Sequence, residues 1–277
     1  MMNESERRKY WTETMDAAYD FVKRAAAVPV SDCLEKLVYL PDAVEEAGVD
    51  VGFSSKPHVD NLPRLYYLRE GLLEDFLKTA SAMNSQGWTM RVEDGFRTRQ
   101  MQRRNAHQPF AIEAILKKCH WELQGAELTQ DLLFKRIAPL VALWPSVATH
   151  MSGSAIDISV MDRQSGRQID RGGDFLEMSE LTPMDSPFIS ETAQANRKAI
   201  TRLFNENGFV AYPYEFWHYS RGDAFDAIIN KRASARYGAV EWIRLDNSVK
   251  PMKDQQEPLT SERDFLKMAK AIEGRDK

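Results

Sequence analysis

The stretch "ATHMSGSAIDISV", Ala148 to Val160, decides how this chain is read. A His, a small-residue turn around Gly153 and an Asp lead into an alternating apolar run. Read as a strand, "SAIDISVMD" puts Ile156, Ile158 and Val160 on one face and Asp157 and Ser159 on the other. Further along, "YEFWHYS", Tyr214 to Ser220, carries Glu215 and His218 three residues apart. The question is whether these two stretches build one metal site or are separate pieces of core.

The rest of the chain sets bounds on the answer. Its 277 residues are 43% hydrophobic, enough for one well-buried core with an appendage rather than clearly two domains. Charged residues make up 28% and the net charge is -4. No basic excess points to nucleic acid, so a small or neutral substrate is expected. The two cysteines, Cys33 and Cys119, are too few for a disulfide framework and form no Cys-x-x-Cys pair. The N-terminal segment is polar and mixed in charge, without the apolar core of a signal peptide. No stretch approaches the ~20 apolar residues of a membrane span. The expected location is the cytoplasm, with no membrane partner.

Along the chain, the first 55 residues read as helical, with Trp11, Met15, Ala18, Phe21 and Val22 at helical spacing. "GFSSKPHVDNLPR" reads as a long loop. A helix follows, with Leu72, Leu73, Phe76, Leu77, Ala80 and Met83 on one face, then a strand in "WTMRVED". Residues 98–145 look mainly helical. "ETAQANRKAITRLFNENGF" reads as a helix closing on Asn207-Gly208. "FVAYPYEFWHYS" reads as extended and interrupted at Pro213, and the charged tail ends in a helix, "TSERDFLKMAKAIEG". Helices and strands without βαβ regularity predict an α+β fold.

The chemistry suggests one site. A catalytic zinc centre needs three protein ligands and an open position. Asp157 points away from the strand's apolar face, His150 lies just before that strand, and His218 would be the third ligand. Glu215 would be the general base that takes a proton from water. Spacing raises one difficulty: residues 215 and 218 fall on opposite faces of an ideal strand. A bend must bring them together, and Pro213 allows one. Each residue alone is weak evidence, since a lone His is more often structural than a ligand. His58, His107 and His120 are read that way, as structural or surface residues.

Taken together, "H-M-S-G-S-A-I-D" and the later "E-F-W-H" resemble the zinc D-Ala-D-Ala dipeptidases. These are related to the vancomycin-resistance dipeptidase and belong to the superfamily of D,D-peptidases and the hedgehog N-terminal domain. "YLREGLLEDFLKTASAMNSQGWTMRVEDGFR", "FLEMSE" and "NRKAITRLFNENGFVAYPYEFWHY" agree in order and spacing, so the resemblance spans roughly residues 36–225. It implies an antiparallel sheet core flanked by helices. It also implies zinc held by His150, Asp157 and His218, Glu215 as base and then acid, and Arg97 beside the developing oxyanion. Asp94 would brace Arg97 or shape the turn, while Trp217 and Tyr219 would pack around the site. A single domain is expected, with a catalytic core over about 36–232, a helical extension over 1–35 and a C-terminal extension over 233–277.

The chain departs from the family pattern at three points. Ala148 stands where a Ser is usual, and Thr149 beside it is expected to point elsewhere. Leu176 replaces an Asp expected near the substrate amino group, leaving Asp174 or Glu177 to compensate in substrate binding. "D-G-F-R-T" replaces Asp-Gly-Tyr-Arg-Pro. The leading expectation is a zinc peptidase acting on D-Ala-D-Ala or a similar small cell-wall peptide. A D,D- or L,D-carboxypeptidase on longer peptidoglycan peptides is the alternative, and a zinc-stabilised binding module without turnover is another. Glu215 and Arg97 argue against the last, because a pure binding site needs neither.

Overall fold

The computed structural model describes residues 3–274. In chain order it runs α1 (Glu4–Ala26), β1 (Leu37–Tyr39), α2 (Leu40–Ala47), β2 (Val51–Phe53), β3 (Tyr67–Arg69), α3 (Leu73–Ser85) and β4 (Trp88–Asp94). Next come α4 (Arg99–Asn105), α5 (Pro109–Leu123), α6 (Gln130–Ile137), a single turn α7 (Thr149–Ser152) and β5 (Ala155–Asp162). The chain closes with α8 (Glu191–Glu206), β6 (Val210–Ala211), β7 (His218–Ser220), α9 (Ala224–Ile229), β8 (Val240–Ile243), β9 (Ser248–Pro251) and α10 (Glu262–Glu273).

Five strands form the central sheet in the order β2-β4-β5-β7-β6. The pairs β4–β5, β5–β7 and β6–β7 are antiparallel, and β2 joins β4 in parallel at the edge. The α+β expectation therefore holds, with one parallel edge pair added. On one sheet face Ile156, Ile158 and Val160 join Met90, Val92, Phe76 and Phe204 in a single apolar cluster. Asp157 and Ser159 are buried as well, so the opposite face of β5 is covered rather than solvated. That is the behaviour of a central strand closed in on both sides.

The first 55 residues are not wholly helical: β1 and β2 interrupt them. Each strand has only three residues, too short a run to show a period. The tail also holds an unforeseen hairpin, β8–β9, turning at Asn247 with φ 55°. Trp242 of this hairpin packs on Tyr67 and Phe96, and its indole N–H donates to Asn247 Oδ1 at 2.9 Å. Cys33 and Cys119 are both free, the first exposed and the second buried. Among the described residues no helix is long and apolar enough to cross a membrane.

The first and last helices, α1 and α10, pack into the body of the molecule. Trp11, Met15 and Ala18 of α1 share one apolar cluster with Ile115 of α5, Phe134 and Ile137 of α6, and Phe265 and Ala269 of α10. Arg136 ties the same layer together through Asp16 of α1 and Glu122 of α5. Truncating the fully buried indole, Trp11→Ala, is expected to destabilise the protein by about 3–5 kcal/mol, as cavity-forming aromatic deletions do. Chemical denaturation reads this directly. A loss below about 1 kcal/mol would mean that α1 is a dispensable appendage.

Candidate metal centre

Two close approaches set the position of His150. Gly153 ends the one-turn α7 with φ +72°, and a Cβ there would stand 2.6 Å from Leu37 Cδ2. The chain can therefore turn at once into β5, which brings His150 back over Asp157. Gly95 lies against the backbone of Leu65, where a Cβ would stand 2.8 Å from the carbonyl oxygen. Its own carbonyl accepts a hydrogen bond from His150 Nδ1 at 2.7 Å. Arg69, fully buried, clamps this corner by donating to the Ser152 and Glu35 carbonyls and to Asp32.

Asp157 and His218 are direct partners across the β5–β7 ladder. The bend that sequence spacing demanded is present. The Glu215 N–H donates to the Tyr212 carbonyl and the His218 N–H to the Glu215 carbonyl, so residues 212–218 turn on themselves. Glu215 and His218 consequently line the same cavity, with Arg97, His150 and Asp157.

The three expected ligands meet there. One ligand atom from each of His150, Asp157 and His218 lies within 4.8 Å of the others, and all three residues are buried. His150 Nε2 stands 3.2 Å from Asp157 Oδ2, and His218 Nδ1 stands 2.9 Å from Asp157 Oδ1. Because the Gly95 carbonyl can only accept, His150 Nδ1 carries the proton and neutral His150 offers a lone pair at Nε2. That buried nitrogen has no hydrogen-bond partner and faces a carboxylate oxygen, two acceptors turned toward each other. A shared cation would resolve this clash, and a second hydrogen bond behind each imidazole is the usual support of a metal-ligating His. His218 has one too, since its Nε2 lies 2.9 Å from Thr149 Oγ1. The donor set, two imidazoles and a carboxylate, suits zinc.

Arg97 follows the end of β4 and is held from three sides. Its Nε donates to Asp94 Oδ2 at 2.7 Å, Nη1 to Gln102 Oε1 at 3.2 Å and Nη2 to Asp157 Oδ2 at 3.1 Å. Asp94 thus braces Arg97, with His58 Nε2 at 3.4 Å and Arg64 Nη1 at 3.3 Å on its other sides. His58 is a buried member of this network, whereas His107 and His120 bond at the surface.

Burial alone would raise the carboxyl groups of Asp94 and Asp157. Arg97 and His58 beside the first hold it well below the usual carboxylate range. The second is drawn well below it by the charge and hydrogen bonds that His150 and His218 present when protonated, the place a bound cation would take. Glu215 goes the other way. Burial pushes it well up, the Asp157 charge adds to the effect, and Arg97 only partly opposes it. Acid and base roles are separated on neighbouring carboxylates in this way.

Several features escaped the sequence reading. Thr149 was expected to point away, yet its hydroxyl meets His218. Its place on a one-turn helix, rather than an extended lead-in, turns it inward. Val22 of α1, Gln102, Tyr212 and Phe225 also line the cavity, and no motif flagged them. Trp217 lines it, while Tyr219 stacks on Phe204 in the core at 3.8 Å. Asp174 is exposed and Glu177 half-buried, and neither lines the cavity; Ala148, Leu176 and Met178 do. Behind Glu215, Phe216 lies between the guanidiniums of Arg197 and Arg171, at 4.0 and 4.9 Å. Arg197 donates to the carbonyls of Arg171, Leu181 and Pro183, and Arg171 to that of Ile158. The loop over residues 171–184 is thereby fixed to the turn that carries Glu215.

A family model described as D-Ala-D-Ala dipeptidase matches residues 52–236. A D-alanyl-D-alanine dipeptidase of Synechocystis sp. is 27% identical over 232 residues, 73% of this chain and 88% of that protein. One from Enterococcus faecium is 26% identical over 176 residues, 60% of this chain and 79% of that protein. Among solved structures, the LdcB LD-carboxypeptidase matches with TM-score 0.37 and 16% identity, covering 76% of this chain and 77% of its own. The zinc-bound vancomycin-resistance D,D-pentapeptidase VanY matches with TM-score 0.36 and 14% identity, covering 68% and 93%.

Proposed function

This chain belongs to the D-Ala-D-Ala dipeptidase family of metallopeptidases and is a peptide hydrolase, and we propose that it cleaves D-Ala-D-Ala or a similar small cell-wall-derived peptide with zinc held by His150, Asp157 and His218. The observation that carries this reading is the partnerless His150 Nε2 turned toward Asp157 Oδ2, with Glu215 on the same cavity. Zinc on such ligands would lower the pKa of a water molecule and polarise the scissile carbonyl.

The chain's own residues supply the rest. Glu215, with its raised pKa, takes a proton from water as the oxygen attacks the carbonyl carbon. It returns that proton to the amide nitrogen as the C–N bond breaks. Arg97 stays charged at the cavity wall, where its guanidinium would stabilise the oxygen on which negative charge develops. Its bonds to Asp94 and Gln102 fix it before substrate arrives. Gly95 and Thr149 orient the two imidazoles. We assign the catalytic core to about residues 36–232, with the N-terminal extension contributing Val22 to the cavity wall.

The test is hydrolysis of D-Ala-D-Ala by the zinc-loaded protein, with metal content measured on the same sample. One zinc per chain with turnover of the dipeptide is the expected result. Zinc with turnover only of longer D,D or L,D peptides would make it a carboxypeptidase. Zinc without turnover of any peptide would leave a binding module, and a chain that takes up no zinc would overturn the site.

A further inference from the structure

The cavity has few places for a substrate's charges. Apart from Arg97, His150, Asp157, Glu215 and His218, no charged residue among the described residues lines it. Among the described residues its carboxylates are Asp157 and Glu215. The first is already shared by both histidines and Arg97, and the second is the proposed base. A free dipeptide is a zwitterion. Its carboxylate could turn toward Arg97, but its ammonium would either take a carboxylate the chemistry needs or lie unpaired against an apolar wall. Both arrangements are unfavourable for a buried charge.

The cavity is not closed, however. It shares Arg97, Asn105, Phe110 and Leu176 with a second groove that runs outward past Pro57 and Arg64. The two carboxylates of that groove, Asp94 and Asp60, are each paired with an arginine. At the junction stand two of the few exposed large apolar side chains, Phe110 at 49% and Leu176 at 36% exposure. Leu176 also has φ 69°, a left-handed conformation that disfavours leucine. An exposed apolar side chain held in a strained backbone between a cavity and a groove points to ligand contact.

We propose that this site prefers a peptide whose amino end is acylated over the free dipeptide. The uncharged acyl portion passes between Phe110 and Leu176 into the outer groove, so the substrate class is the D-Ala-D-Ala-type end of a longer or capped chain. The inference rests on the peptidase reading above and narrows it.

Two measurements on the zinc-loaded full chain test it. One compares kcat/KM for Nα-acetyl-D-Ala-D-Ala and D-Ala-D-Ala. The other compares their binding to the Glu215→Gln protein by calorimetry, which needs no turnover. The acetylated peptide is expected to be favoured on the order of tenfold or more in both. Leu176→Asp, which offers an ammonium a partner and suits the left-handed backbone better, is expected to narrow or reverse the ratio. Leu176→Asn has the same backbone tolerance without the charge and is expected to lower the ratio far less than Leu176→Asp, by the lost apolar contact with the acyl group alone. Equal or better binding of the free dipeptide, or a ratio that Leu176→Asp does not move, would overturn the proposal. If the acetylated peptide binds preferentially but neither peptide is cleaved, the peptidase reading fails and the acyl preference stands. If the free dipeptide is the better substrate, the reverse holds. If neither peptide binds, both fall.

Discussion

Glu215→Gln is expected to keep zinc bound at one per chain while kcat falls by about 10²–10⁴-fold, the usual contribution of a positioned general base. The substitution keeps size and shape but removes the only unengaged carboxylate on the cavity. Among the described residues the Glu215 side chain makes no hydrogen bond or ion pair, so nothing structural is lost with its charge. The reverse is expected for stability. Burial and the Asp157 charge raise the folded-state pKa of Glu215 above its unfolded value. Its stabilising contribution is therefore complete below the ordinary carboxylate pKa and is lost as pH rises through the folded pKa. Metal-free Glu215→Gln protein should accordingly unfold at higher denaturant than wild type near neutral pH, and that advantage should vanish in acid. A base held at some expense in stability is what a catalytic role predicts. A variant that is less stable at neutral pH, or that retains most of its kcat, would make Glu215 a structural residue.

The acid limb of the kcat/KM profile follows from the same group. Protonated Glu215 cannot accept a proton, so activity falls as pH drops through its pKa. Burial and Asp157 raise that limb, while Arg97 and a bound cation draw it back down. In Glu215→Gln the residual activity should lose this limb.

What could be read from the sequence, and what could not, divides along physical lines. β5 was legible because its eight residues carry an alternating pattern, and Asp157 stood out as the charged residue on the polar face it shares with Ser159. The pairing of Asp157 with His218 was not legible from pattern. It depends on a β5–β7 register, and β7 is only three residues long. The likeness to a family supplied that link, and the turn at residues 212–218 supplies its geometry. The roles of Thr149 and Val22 depend on tertiary placement: a one-turn helix turns the first inward, and packing of α1 on the helical layer carries the second to the cavity wall. Asp174 and Glu177 were singled out by charge and proximity in sequence, but the intervening left-handed Leu176 directs the chain so that an apolar side chain faces the cavity.

Asp157→Asn should abolish both zinc binding and turnover, and it separates the metal's role from that of the buried network. Asn keeps the size of the side chain and one carbonyl oxygen but removes the charge that His150, His218 and Arg97 share. In the wild type, a metal that binds only the folded state adds stability by mass action. At a free zinc concentration 100 times the dissociation constant this is about 2.7 kcal/mol, visible as a rise in Tm. The variant should show no such rise, and its activity should match that of wild type stripped by chelator. Its metal-free stability should also drop, by about 3–5 kcal/mol if the Arg97 charge is left without compensation. That loss should be smaller if Asp94, which already binds Arg97 Nε at 2.7 Å, is enough to hold it. Readdition of zinc should restore activity to chelated wild type but not to the variant. A variant that still gains Tm with zinc would place the metal away from Asp157. In that case His150 Nε2 would need another explanation for facing a carboxylate with no proton to give it.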